Sequence, residues 1–184
     1  MKDDLGMPPL EADIYRSGMF IMMDSIDMST CKDAIEFILK QSCEKKKQKR
    51  LQFLICSEGG DMNAAFALID VMKASKIPIH TVGLGMVASA GLLIFMSGVN
   101  RILTPNTSIL SHQWSWGAFG KEHELFAQMK EYELVSERMM AHYKKCTGQD
   151  EAKIRKFLLP PEDIWLSAKE ARKLGVCDSV KTVY

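Results

Sequence analysis

The chain has 184 residues and a mass of 20.7 kDa, with 47% hydrophobic residues, enough to bury a substantial core in one domain. Its formal net charge is +1, from 24 basic and 23 acidic residues, which gives no electrostatic case for a nucleic-acid or anionic-membrane partner. The five cysteines, Cys31, Cys43, Cys56, Cys146 and Cys177, are scattered with no Cys-x-x-Cys pair, so reduced thiols in a cytoplasmic protein are expected and zinc is not.

Met1 to Pro9 is polar, lacks the pattern of a secretory signal, and ends in Met7-Pro8-Pro9, which reads as extended or loosely held; residues 1–17 are expected as a short amino-terminal arm. Met19 to Met23 is a short strand candidate. From Thr30, apolar residues recur at three- and four-residue steps (Cys31, Ala34, Ile35, Ile38, Leu39), predicting an amphipathic helix to about Cys43. The basic run Glu44 to Arg50 reads as a solvated helix end whose cations complement the dipole.

Leu51 to Cys56 predicts a buried strand running into Ser57-Glu58-Gly59-Gly60-Asp61, where paired glycines permit positive φ and close backbone approach. Asp61 is placed to cap a helix carried by Ala64, Ala65, Ala67, Leu68, Val71 and Met72. Ile77 to Leu84 predicts a strand, Gly85 a turn, and Ala88 to Ser97 a helix. The apolar stretch Ile77 to Val99 is long enough to span a bilayer, but Pro78, His80 and four glycines punctuate it, which fits strand, turn and buried helix better.

Within that stretch Ser89 is a lone hydroxyl among small residues, at the start of a helix whose free N–H groups face any oxygen bound beside it. Arg101 to Thr104 and Ser108 to Gln113 read as two more strands. Strand, crossover helix and strand thus repeat, which predicts a parallel sheet with ligands at the carboxyl ends of its strands. Lys121 to Cys146 has no glycine or proline and predicts one long helix. A second helix spans Asp150 to Phe157, and Asp163 to Ser167 is extended. Ser167 and Glu170 form a capping box for Ala168 to Leu174, and Val176 to Val183 reads as a final strand.

Four local patterns follow one another: Ser57-Glu58-Gly59-Gly60, Gly85-Met86-Val87-Ala88-Ser89-Ala90-Gly91, Ser111-His112-Gln113 and Asp163-Ile164-Trp165-Leu166-Ser167-Ala168. With Thr147-Gly148-Gln149 and the closing Ala171 to Val180 segment, the chain resembles the proteolytic subunit of the Clp protease over residues 18–181. The resemblance implies an α/β fold of the ClpP and crotonase-like kind. That fold is a wound βαβ superhelix, here one domain over 18–184, with a protruding handle of strand plus long helix at about 114–146.

It also implies a serine endopeptidase with no metal or cofactor. Ser89 would be the nucleophile, His112 the general base and then acid, and Asp163 the orienting carboxylate. An imidazole is needed because a serine hydroxyl attacks poorly until its proton is taken, and the carboxylate sets the tautomer. The N–H groups of Gly60 and Ala90 would form the oxyanion hole, and unfolded polypeptide would lie along Gly59-Gly60 and Gln113-Trp114. Two stacked seven-membered rings and an AAA+ Clp unfoldase are the implied assembly partners. The family's prolines at the positions of Glu58 and Trp114 are absent.

Two other readings come from different classes. A non-catalytic ring subunit would normally have a degraded triad, and a crotonase-type acyl-CoA enzyme would not need Ser, His and Asp together. Of the remaining histidines, His80 is expected as a hydrogen-bonded core residue, and His123 and His142 as solvated.

Overall fold

The computed structural model describes residues 8–45 and 48–183. Its first helix, α1 (Pro9–Arg16), lies within the segment expected as an arm over 1–17. Proline at the first helical position sacrifices no hydrogen bond, since that N–H has no intrahelical acceptor. Ala12 and Tyr15, three residues apart, then face inward and are buried. Of the stretch expected to be extended or loosely held, Pro9 instead opens this helix, while Met1 to Met7 lie outside the described residues.

Strand β1 (Met19–Met22) leads to α2 (Met28–Cys43), where the Asp27 carboxylate accepts the Thr30 N–H at 2.8 Å and Thr30 Oγ1 accepts the Asp27 N–H at 3.0 Å. This helix ends at Cys43, as expected, with Glu44 as its C-cap, and the described residues of the basic run follow it; Lys46 and Lys47 are outside the described residues. Strand β2 (Leu51–Ser57) alternates buried and half-buried positions, and α3 (Met62–Ala74) starts where Asp61 Oδ1 accepts the Ala64 N–H at 2.7 Å.

Strand β3 (Ile79–Ala88) is longer than expected because Gly85 does not turn the chain. With φ +58° it absorbs a bulge instead, and the register against β2 slips by two residues between the pairs Ile55 with Gly83 and Ser57 with Val87. The bulge splits the partners of β3: residues 80–83 pair with β4 (Asn100–Leu103), and residues 86–88 pair with β5 (Ser108–Ser111), both parallel. The main sheet runs β1-β2-β3-β4-β7, with β7 reduced to Ser179–Val180 instead of the full closing strand expected, and β6 (Ile164–Ser167) antiparallel to β5.

Between β3 and β4, α4 (Ser89–Met96) is buried from Ala90 to Met96, which explains the unbroken apolar run. Among the described residues no helix is long and apolar enough to cross a membrane. All five cysteines are free thiols. The long helix α5 (Glu122–Thr147) buries only Val135, Met139, His142 and Tyr143, all in its carboxyl-terminal half; Phe119 before it and Phe126 at its start are exposed. The strand expected ahead of α5 has no ladder partner among the described residues, and residues 112–121 form neither helix nor strand. Helices α6 (Glu151–Phe157) and α7 (Ala168–Lys173) complete the fold, α7 starting at the predicted Ser167 and Glu170 capping box.

Candidate active site

Three chain segments meet at the carboxyl end of β3. Ser89 follows the last residue of that strand and has φ +53°, the only positive φ outside glycine among the described residues. Such a conformation is strained for an L-residue and makes the turn from strand to helix sharp enough to push the side chain outward. His112 comes directly after β5, and the pairing of Ala88 with Leu110 brings the two strand ends side by side. Asp163 directly precedes β6, whose antiparallel pairing of Ser111 with Ile164, extended by one step, sets 163 opposite 112.

His112 Nε2 lies 2.8 Å from Ser89 Oγ, and His112 Nδ1 lies 3.6 Å from Asp163 Oδ1. The His112 side chain is 17% exposed and that of Asp163 65%, so the imidazole is sheltered and the carboxylate wet. With Nε2 accepting the serine proton, Nδ1 carries the hydrogen and faces the carboxylate. This arrangement can abstract a proton from a hydroxyl and hold the resulting imidazolium.

The Gly59-Gly60 turn closes the site from the side of β2. Gly59 has φ +101°, and a β-carbon there would sit 2.6 Å from Ser89 Cβ and 3.1 Å from the Ala90 nitrogen, so only glycine lets the backbones approach this closely. The Ile26 N–H donates to the Gly59 carbonyl at 2.8 Å and the Asp61 N–H to the Ile26 carbonyl at 2.7 Å, which fixes Gly60 without engaging its own N–H. The Ala90 N–H belongs to the first turn of α4, where no side chain caps the helix. Ser57, buried at the end of β2, accepts the Gly59 N–H on its hydroxyl at 3.1 Å. Its role as a support for the turn was marked in the sequence only by a polar residue closing an apolar strand.

A family model described as Clp protease matches residues 10–183. The chain belongs to the Clp protease family. It is 34% identical over 134 residues to the ATP-dependent Clp protease proteolytic subunit 2 of Treponema denticola, covering 72% of this chain and 66% of that one. It is 29% identical over 174 residues to the proteolytic subunit 3 of Rhizobium meliloti, covering 94% and 87%. Among solved structures, an Asn-to-Asp mutant of ClpP1 from Listeria monocytogenes superposes with a TM-score of 0.81 at 26% identity, covering 93% of this chain and 95% of the other. The wound α/β fold expected from the motifs is therefore the fold of this Clp protease family member.

Around that site the chain has its own details. Gln113 Nε2 donates to the Leu159 carbonyl at 3.2 Å, and the Trp114 indole N–H donates to Ser136 Oγ at 3.2 Å while its ring stacks on Tyr132 at 5.3 Å. Both side chains thus anchor the segment after His112 to its surroundings. At the Clp-family glycine turn, Ser25 Oγ donates to Glu58 Oε1 at 2.6 Å, and this bond holds the exposed Glu58 carboxyl below its ordinary pKa. Among the described residues no three His, Cys, Asp or Glu side chains converge in a way that could hold a metal ion.

His80 is half-buried beside the Asn100 amide at 3.5 Å, with its pKa lowered by burial, and His123 is exposed. His142 departs from expectation: it is buried, and its Nε2–H donates to the Leu93 carbonyl of α4 at 2.9 Å. Its position three residues after Met139, on the one inward stripe of α5, is the signal that was overlooked. Burial lowers its pKa from 6.5 to about 4, with Lys73, Lys145 and Arg101 adding to the effect. The unfolded chain therefore takes up a proton that the folded one refuses, so stability is lost as the pH falls from 6.5 towards 4. The loss should reach about 3 kcal/mol. Urea denaturation across that range should show a steep acid loss that flattens in His142→Gln, which keeps a donor for Leu93 but has no charge to gain.

Proposed function

We propose that this chain is a catalytic Clp-type serine endopeptidase subunit that cuts unfolded polypeptides. The reading is carried by one observation: a serine held at positive φ at a strand-to-helix turn, with an imidazole nitrogen 2.8 Å from its hydroxyl. Ser89 Oγ attacks the scissile carbonyl carbon as its proton passes to His112 Nε2, and Asp163 stabilises the imidazolium. The carbonyl oxygen becomes an oxyanion held by the N–H groups of Gly60 and Ala90. Collapse breaks the C–N bond, His112 gives its proton to the departing amine, and water, activated by the same imidazole, releases the acyl group from Ser89.

Substrate in this reading lies extended between the Gly59-Gly60 turn and the Gln113-Trp114 segment, pairing through its main chain. Residues 112–121 form neither helix nor strand, which supports pairing of the Gln113-Trp114 backbone with a substrate main chain. Main-chain pairing reads little sequence, so specificity should be broad. The names of the relatives, ATP-dependent Clp protease proteolytic subunits, support an ATP-dependent Clp partner; an AAA+ Clp unfoldase, two stacked heptameric rings and a cytoplasmic setting belong to the same proposal. Mass spectrometry after treatment with a fluorophosphonate should find one adduct per chain, on Ser89, together with hydrolysis of short fluorogenic peptides. An assembled protein that takes up no probe and cleaves no peptide would overturn the assignment.

A further inference from the structure

Behind the His112 and Asp163 segments runs a buried chain of hydroxyls that the reaction itself does not use. Ser111 is fully buried, and Tyr143 and Leu158 are 1% exposed. Ser111 Oγ lies within hydrogen-bond distance of both the Tyr143 hydroxyl, at 2.8 Å, and the Leu158 carbonyl oxygen. A carbonyl only accepts, so the single Ser111 proton is committed to Leu158 and the Tyr143 O–H must donate to Ser111. The burial that pushes the Tyr143 pKa to about 12 keeps that proton in place. Direction is thus fixed along the whole chain, from α5 through β5 to the turn after α6.

The middle of that chain and its accepting end border the site. Ser111 immediately precedes His112, and Leu158 begins the turn that leads to Asp163. On the far side of His112, Gln113 Nε2 holds the next carbonyl of the same turn, Leu159, at 3.2 Å. The imidazole is therefore bracketed by two side chains that both grip the segment carrying its carboxylate partner. At 3.6 Å the His112 to Asp163 contact is longer than a hydrogen bond, and Asp163 is mostly exposed, so its alignment depends on how firmly that segment is held. An apolar side chain at 111 would fill the same space without this tie.

We propose that Ser111 is a positioning residue, with Tyr143 as its donor, that ties the strand end carrying His112 to the turn carrying Asp163. The proposal rests on the peptidase reading above. Its test uses the full-length assembled protein and the variants Ser111→Ala, Tyr143→Phe, their combination, and Ser111→Thr. Saturating fluorophosphonate counts competent Ser89 sites, while the labelling rate and peptide kcat report alignment per site.

In Ser111→Ala the number of labelled sites should match the parent, with kcat and labelling rate both down by about 10-fold or more and KM within about twofold. Tyr143→Phe should lose roughly 3-fold, and the double variant should resemble Ser111→Ala, because the two groups act as one unit. Restoration of the rate by Ser111→Thr, which keeps the hydroxyl, supports the tie. Should Ser111→Ala fail to fold, Tyr143→Phe alone decides. Parent-like rates per labelled site, or a loss matched by fewer labelled sites, overturn the proposal while leaving the peptidase reading intact. A parent protein that neither labels nor cleaves overturns both.

Discussion

Ser89→Ala should lower kcat for peptide hydrolysis by about 10⁶-fold, the loss expected when the nucleophile of a cooperating triad is removed. His112→Ala should cost about as much, since the two groups act as a unit at 2.8 Å. Asp163→Asn should cost less, roughly 10³- to 10⁴-fold. In the proposed mechanism the carboxylate, at 3.6 Å and 65% exposed, is open to solvent that would share in stabilising the imidazolium. Turnover of a fluorogenic peptide, corrected for the number of folded assemblies, measures all three. Ser89→Ala retaining a tenth of the parent rate would mean that another group carries the chemistry.

The second large effect is expected at Gly59. A β-carbon there would meet Ser89 Cβ at 2.6 Å and the Ala88 carbonyl at 2.9 Å, both parts of the buried turn from β3 into α4. No flexible side-chain end is available to move aside. The φ of +101° adds strain for any L-residue. Gly59→Ala should therefore destabilise the fold by about 2–4 kcal/mol and lower kcat/KM by about 10²- to 10³-fold, as Ser89 and the Gly60 N–H are forced apart. Gly148→Ala is the control: φ is +68° with open space around the position, so only about 1 kcal/mol of backbone strain is expected, with parent-like kinetics. Thermal unfolding and steady-state kinetics on the two variants separate collision from conformation.

Signals that act over a few residues were legible in the sequence. The Ser167 and Glu170 capping box, the Asp61 cap and the serine at the head of an apolar helix all depend on short spacings, and each lies where the pattern put it. The motifs placed Ser89, His112 and Asp163 together only through family resemblance, because the strand pairings that bring these distant positions together leave no local trace. Gly85 is ambiguous in the sequence for a related reason: a glycine that permits a turn equally permits a bulge, and the choice belongs to the neighbouring strands β2 and β5. At α1, Pro8-Pro9 suggested an extended arm, yet Ala12 and Tyr15 already had helical spacing. His142 was hidden because the exposed amino-terminal half of α5 dilutes the pattern made by Val135, Met139 and Tyr143.

That uneven burial divides α5 into two kinds of helix on one axis. Its 26 residues extend roughly 39 Å, and only the last three turns have a core to lean on. Deuterium uptake by a single chain should therefore run as a gradient, rapid at the amides around Phe126 and Met129 and slow from Met139 to Thr147, because a helix without packing opens readily. Slowing confined to the leading turns at higher protein concentration would reveal that other copies shield the end this chain leaves bare.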